Sequence, residues 1–91
     1  MLVRFVEYIK TDLKKYNLHA TYLKKIEEKL IANSDRITKI SQELHGFKPL
    51  RKLRLGDYRL FFFIEAGTLV CIALKHRKEA YDNVGNLFKR V

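Results

Sequence analysis

The most regular alternation of apolar and polar side chains lies between Leu50 and Tyr81 and predicts paired β-strands. Within it, Gly56-Asp57 places glycine first in a two-residue turn, as a type II′ hairpin requires. This turn sets the register, because each residue before it then faces one residue after it. The predicted pairs are Leu55 with Tyr58, Arg54 with Arg59, Leu53 with Leu60 and Lys52 with Phe61.

Side chains alternate in direction along a strand, so the predicted hairpin and the strand after Ala66-Gly67 have two faces. The first face is apolar and predicts the core: Leu53, Leu55, Tyr58, Leu60, Phe62, Ile64, Leu69, Cys71 and Ala73. The second face is apolar at one end and cationic at the other. Its predicted members are Phe61, Phe63, Val70, Ile72, Leu74, Lys52, Arg54, Arg59 and, at the end of the strand, His76.

The cationic end of the second face predicts an anion site. Arg54 opposite Arg59 is a like-charge pair, which costs stability unless an anion lies between the two side chains. The pair also belongs to a larger cluster of cations, which favours the anion site. The alternative is that arginines on a solvated strand face splay apart or pair with Glu and Asp.

The rest of the pattern predicts one strand and several helices. Met1–Tyr8 is short and apolar and predicts a first strand, while Ala20–Ala32 has the apolar spacing of a helix. Helical spacing also occurs at Ile9, Leu13 and Tyr16, at Ile37, Ile40 and Leu44, and at Tyr81, Val84, Leu87 and Phe88. The predicted fold class is α+β, in a single domain over residues 1–91. It has an N-terminal strand, a two-helix hairpin, three antiparallel strands completing a four-stranded sheet, and a short C-terminal helix.

Composition narrows the class of partner. The net charge is +9, from 19 Lys and Arg against 10 Asp and Glu, which favours a polyanion: usually nucleic acid or ribosome, less often a membrane surface or an acidic protein. The chain has neither an apolar run of about 20 residues nor a signal-peptide pattern, so we expect a cytoplasmic protein without a membrane partner. A single cysteine excludes an internal disulfide and a cysteine-based zinc site. We expect no metal and no cofactor.

Three pieces of sequence resemble the RelE/ParE superfamily of toxin–antitoxin toxins: Leu44-His45-Gly46, the hairpin LRKLRLGDYRLFFFIE, and HRKEAY. The predicted order of elements is also similar to that family across the whole chain, and implies a small RelE-like fold. The resemblance implies the toxin of a type II toxin–antitoxin system with a cognate antitoxin as partner. RelE-like members are mRNA interferases that cut codons in the ribosomal A site without a metal, whereas ParE-like members poison DNA gyrase. A third alternative is a catalytically inactive relative that only binds its antitoxin or RNA.

The resemblance also implies the residues of a site. Lys52, Arg54 and Arg59 match basic strand positions of the family, Arg77 matches its basic position after the last strand, and Tyr81 matches an aromatic position. Because this cation set is complete and the chain is basic, we expect a ribosome-dependent mRNA endonuclease that inhibits translation. Catalytic residues vary among these toxins, and no clear carboxylate base is visible; Asp57 is nearest and is expected to serve the turn.

Metal-free RNA cleavage uses the 2′-OH of the substrate, so the protein must move protons and stabilise a crowded, negatively charged phosphorus. Arg59 and Arg77 are expected to hold the phosphate oxygens, because guanidinium groups bind them in a fork and keep their charge. Lys52 could act as the base only if its neighbours favour its uncharged form; otherwise it binds phosphate. Arg54 and Arg51 are expected to hold the RNA backbone.

Two further residues each have two interpretations. His76 could serve as acid or base, since a histidine ordinarily titrates near neutral pH, or simply end the strand. Tyr81 could stack on a base or donate a proton, or it could pack the last helix. The apolar end of the second face is expected to be covered by the C-terminal helix or by an antitoxin segment.

Overall fold

The computed structural model describes residues 1–90, apart from the side chain of Phe88, and contains one sheet with its two longer α-helices on one face. Val91, the last residue of the expected domain, lies outside this part. The strands are β1 (Leu2–Phe5), β2 (Ser41–Glu43), β3 (Arg51–Leu55), β4 (Tyr58–Glu65) and β5 (Thr68–His76). The α-helices are α1 (Tyr8–Lys15), α2 (Thr21–Ala32) and α3 (Ile37–Ile40). Short 3₁₀ helices cover Ser34–Arg36, Arg77–Glu79 and Val84–Arg90. None of the helices in residues 1–90 combines the length and apolar character needed to cross a membrane.

The strand order is β1-β5-β4-β3-β2, with β1 parallel to β5 and all other neighbours antiparallel. The predicted α+β class and the register of the β3–β4 hairpin are confirmed, including Arg54 opposite Arg59. Gly56 adopts φ +61°, the left-handed conformation that its turn requires.

The predicted strand count is wrong, because β2 adds a fifth strand. Ser41–Glu43 pairs antiparallel with the first half of β3. Three residues are too few to show an alternating pattern, and the helical spacing of Ile37, Ile40 and Leu44 crosses them. The helix that this spacing permits is present, but it ends at Ile40.

A β-bulge in β5 corrects the predicted faces. Phe61 pairs with Ala73, while Phe62 pairs with Cys71, so Ile72 is an extra residue. Because one inserted residue reverses the alternation, Ala73 moves to the second face. Leu74 and His76, predicted on the second face, lie on the first.

Two apolar clusters lie on opposite faces of the sheet. On the first face, α1 and α2 cover the strands with Ile9, Leu13, Ile26 and Leu30. On the second face, the C-terminal segment contributes Ala80, Val84 and Leu87, and the β2–β3 connection contributes Leu44 and Leu50. The expected C-terminal cover is therefore confirmed, although Val84–Arg90 is a 3₁₀ helix. This cover leaves the cationic end of the second face open.

Candidate functional site

An open cleft of about 420 Å³ lies at the cationic end of the second face. Four of the side chains that line it are cations, and none is a carboxylate. Such a cleft concentrates positive potential where an anion can enter. The lining residues are Ile40, Gln42, Lys52, Arg54, Arg59, Arg77, Ala80 and Tyr81.

The strands position the floor of the cleft. Lys52 and Arg54 are two residues apart on β3, so both point to the second face, and Arg59 faces Arg54 from β4. Gln42 faces Lys52 from β2. The predicted cluster of Lys52, Arg54 and Arg59 is thus brought together by strand alternation alone.

Arg59 is held in place by the hairpin turn. Its Nη1 donates to the carbonyl oxygens of Gly56 and Tyr58, both at 2.9 Å. These bonds fix the plane of the guanidinium group and occupy only one of its nitrogens. The remaining N–H groups have no partner within residues 1–90 and are available to an anion.

Arg77 enters the cleft from the 3₁₀ helix that follows β5. Its backbone N–H donates to the carbonyl oxygen of Asp57 at 2.8 Å, and its Nε lies 3.6 Å from Asp57 Oδ1. Asp57 therefore joins the hairpin turn to the segment that carries Arg77, and it is not among the cleft-lining residues. Both side chains of the ion pair are more than half exposed, so its attraction is weak.

Tyr81 lies at the rim of the cleft with 59% of its surface exposed. The ammonium nitrogen of Lys52 lies 4.4 Å from the centre of its ring, a cation–π distance. The ring is therefore accessible beside the cations.

The structure does not bring Arg51 and His76 to the cleft. Arg51 lies on the first face, where its guanidinium donates to Ser41 Oγ at 2.9 Å and to the Thr38 carbonyl at 3.0 Å. The His76 ring packs edge-on against Tyr58, also on the first face, and its Nδ1 accepts from the Lys78 N–H. Both placements differ from the prediction. Arg51 points to the face opposite Lys52, towards α3, because neighbouring side chains on a strand alternate in direction. His76 lies on the first face because the bulge in β5 reverses the alternation.

Three side chains fix the Arg77–Glu79 helix to α1. The Glu79 carboxylate accepts from the Tyr16 hydroxyl and lies 3.0 Å from Lys15 Nζ. Burial, reinforced by Glu79, raises the pKa of Tyr16 to about 12. The hydrogen bond from Tyr16, followed by that from Lys15, lowers the pKa of Glu79. This contact sets the position from which Arg77 and Tyr81 reach the cleft.

Gln42 is a cleft residue that the sequence pattern did not reveal. It lies on the short strand β2, in a stretch whose apolar spacing indicated a helix. Its only sequence signal is weak: it is a polar residue two positions before Leu44-His45-Gly46. Within residues 1–90, no group of three or more histidine, cysteine, aspartate or glutamate side chains is arranged to hold a metal ion.

The model of a protein family described as the ParE toxin of type II toxin–antitoxin systems, parDE, matches residues 3–81. No curated protein sequence matches the chain at a significant level. A chain of the RelBE2 toxin–antitoxin complex from Mycobacterium tuberculosis is 26% identical, with a TM-score of 0.63 over 84% of this chain and 96% of that one. A chain of the RelB–RelE complex from Methanococcus jannaschii is 22% identical, with a TM-score of 0.63 over 89% and 98%, and shows the fold alone.

Proposed function

The chain belongs to the family of ParE toxins of type II toxin–antitoxin systems, and we propose that it acts as a metal-independent, ribosome-dependent mRNA endonuclease that inhibits translation. The observation that carries this proposal is the open cleft, which is lined by four cations and by an exposed tyrosine. Cations bind the phosphates of a single strand, and aromatic rings stack on its bases. RNA is therefore the ligand that this combination suits.

In the proposed reaction, the 2′-oxygen of the RNA attacks the adjacent phosphorus and the bond to the 5′-oxygen breaks. The products are a 2′,3′-cyclic phosphate and a free 5′-hydroxyl. Negative charge grows on the phosphate oxygens, where Arg59 and Arg77 donate hydrogen bonds. Arg59 suits this role because its guanidinium is already fixed by two carbonyl groups, so little reorganisation is needed during the reaction.

In this proposal Lys52, in its uncharged form, takes the proton of the 2′-hydroxyl, Tyr81 donates a proton to the departing 5′-oxygen, and a proton returns from Lys52 to Tyr81 after cleavage. A guanidinium keeps its protons, and no lining residue of the cleft is a carboxylate. Lys52 and Tyr81 are the lining residues that can exchange a proton, and they lie in contact. We assign backbone binding to Arg54, whose side chain is exposed on the cleft floor. His76 has no direct role, because it lies on the opposite face of the sheet.

One observation favours a second function. The matching family model describes ParE toxins, and the resemblance associates ParE-like members with inhibition of DNA gyrase. In that case the cleft cations would bind gyrase or its DNA without cutting it. We favour the nuclease, because a binding inhibitor does not need an accessible aromatic ring in the same cleft as four cations.

The test adds the purified protein to a reconstituted translation reaction with a defined mRNA, and maps breaks by primer extension. We expect breaks within codons on ribosome-bound message, intact free mRNA, and unaffected gyrase supercoiling in a parallel assay. Arg59→Ala should reduce the breaks on the order of 10²–10³-fold, while Lys24→Ala, which removes an exposed cation on α2, should retain them. Intact message together with inhibited supercoiling would assign the protein to the gyrase alternative.

We also propose a cognate antitoxin that is acidic and partly disordered, folds on binding, and neutralises Arg59 and Arg77. The support is the net charge of +9 and the similarity to chains from two toxin–antitoxin complexes. The C-terminal segment already covers much of the apolar second face, so we place the antitoxin at the cationic cleft. The product of a small acidic reading frame next to this gene should bind with sub-micromolar affinity and suppress toxicity. Absence of both effects would contradict the proposal.

A further inference from the structure

Gln42 is the one uncharged hydrogen-bonding amide that lines the cleft. The four cations can bind phosphate, which carries no base information. An amide side chain presents a donor and an acceptor side by side, and this pair matches the edge of a nucleobase. The Gln42 side chain is exposed, and within residues 1–90 it makes no hydrogen bond of its own. Both halves of the amide are therefore free for a ligand.

Gln42 and Tyr81 line the same cleft, and Lys52 lies beside both of them. Gln42 lies directly across the β2–β3 ladder from Lys52, where facing β-carbons are about 5 Å apart. The Lys52 ammonium in turn lies 4.4 Å from the centre of the Tyr81 ring. A base that occupies the cleft next to Lys52 is therefore a neighbour of both the amide and the ring.

We infer that Gln42 selects the nucleobase bound in the cleft, with adenine preferred. A glutamine amide binds adenine in a bidentate manner, accepting from the N6 amino group and donating to a ring nitrogen. The inference rests on the RNA binding of the proposed function and adds a source of sequence preference to it. Gln42 contacts the base and not the reacting phosphate, so its loss relaxes selectivity without removing charge stabilisation.

The first experiment measures binding and needs no cleavage. Short 2′-O-methyl RNAs, which lack the attacking hydroxyl, are prepared with adenine, cytosine, guanine or uracil at every position. Their affinities are compared by fluorescence anisotropy at one salt concentration. The wild type should bind the adenine strand roughly five- to 150-fold more tightly than the others, the range expected for one bidentate contact. Gln42→Ala should bind all four strands equally.

Two variants separate base selection from general attraction. Arg54→Ala should weaken all four strands by a similar factor and leave the preference intact, because phosphate contacts are independent of sequence. Glu43→Ala, one residue from Gln42 on β2 and paired with Lys48, should leave both affinity and preference unchanged. Equal binding of the four strands by the wild type, or a preference that survives in Gln42→Ala, would overturn the inference.

The second experiment maps cut sites on ribosome-bound mRNA for the wild type and Gln42→Ala. The wild-type cuts should cluster at adenine-containing codons, and the variant cuts should spread over codons of all compositions. Cutting by both proteins at identical positions would refute base selection by Gln42 while leaving the endonuclease intact. A wild type that binds adenine selectively but cuts nothing would refute the endonuclease while supporting the role of Gln42.

Discussion

The buried Asp12–Arg90 pair offers the sharpest test of what holds the C-terminal segment against the sheet. Asp12 Oδ2 accepts from Arg90 Nη1 at 2.8 Å and from the Leu74 N–H at 2.9 Å, while Oδ1 accepts from Arg90 Nη2 at 3.2 Å. Arg90 also donates to the Ile72 carbonyl at 3.1 Å. Strand β1 pairs with β5 only as far as Cys71, so these two side chains satisfy the strand edge beyond its end.

The cost of Asp12→Ala follows from these contacts. Removing one partner of a buried ion pair lowers the free energy of unfolding by about 3–5 kcal/mol. In Asp12→Ala, part of this loss comes from the Leu74 N–H, which is left without its acceptor. Asp12 is 8% exposed and Arg90 20% exposed, so the arginine can recover some hydration. We therefore expect about 3 kcal/mol. A domain of this length is stabilised by roughly 5–14 kcal/mol in total, so the loss is a large fraction.

The assay is urea unfolding, followed by circular dichroism, of Asp12→Ala, Arg90→Met and the double variant. Asp12→Asn should cost less than Asp12→Ala, because its amide oxygen can still accept from Leu74. The double variant should cost clearly less than the sum of the two single changes, with a coupling of about 1–3 kcal/mol. Lys10→Ala, which breaks the exposed pair with Glu7, is the control and should change stability by under about 0.5 kcal/mol. A loss below about 1 kcal/mol for Asp12→Ala, with additive single changes, would refute the reasoning.

Three other predictions concern the site and the titrating groups. Arg59→Ala and Arg77→Ala should reduce single-turnover cleavage of ribosome-bound mRNA on the order of 10²–10³-fold and leave ribosome binding within a few-fold. Lys24→Ala should only reduce the salt dependence of ribosome binding. Near-normal cleavage by both arginine variants at saturating enzyme would show that the arginines merely bind the ribosome or its RNA. Because the pKa of Tyr16 is raised, the stabilisation that its hydroxyl gives is complete below pH 10 and is lost as pH rises towards about 12. Across that range the free energy of unfolding of the wild type should fall by roughly 1–2 kcal/mol more than that of Tyr16→Phe. Equal losses for the two proteins would contradict the shift. Burial raises the pKa of the Cys71 thiol to about 12, so a thiol reagent at pH 8 should label it only in denaturant, and rapid labelling of the native protein would contradict its burial.

The hairpin and most of the cleft were predictable because they depend on local geometry. A two-residue turn beginning with Gly56 permits one register, and the two-residue period of a strand then places Lys52, Arg54 and Arg59 on one face. These inferences need only residues close together in the chain. Arg77 and Tyr81 came from the family resemblance, since no periodic pattern indicates which way a 3₁₀ segment turns.

One incorrect prediction and one contact that the sequence did not predict each have a physical cause. The bulge at Ile72 adds a single residue without a glycine or any other sequence mark, and that residue sends His76 to the opposite face. The edge of β5 is completed by Asp12 and Arg90, which are 78 positions apart in the sequence. A long-range contact of this kind follows from the packed fold and not from any local spacing.

The cations that form the cleft also repel one another when it is empty. Arg54 faces Arg59 across the ladder. The neighbouring carboxylate, Asp57, already forms an exposed ion pair with Arg77. A polyanion that enters the cleft relieves this repulsion, so it stabilises the folded chain as well as occupying the site. The proposed RNA substrate and the proposed acidic antitoxin would both reduce the repulsion between the same cations. They should therefore exclude each other from the cleft. Inhibition by the antitoxin then requires only that its acidic segment reach Arg59 and Arg77, and should weaken as salt screens those charges.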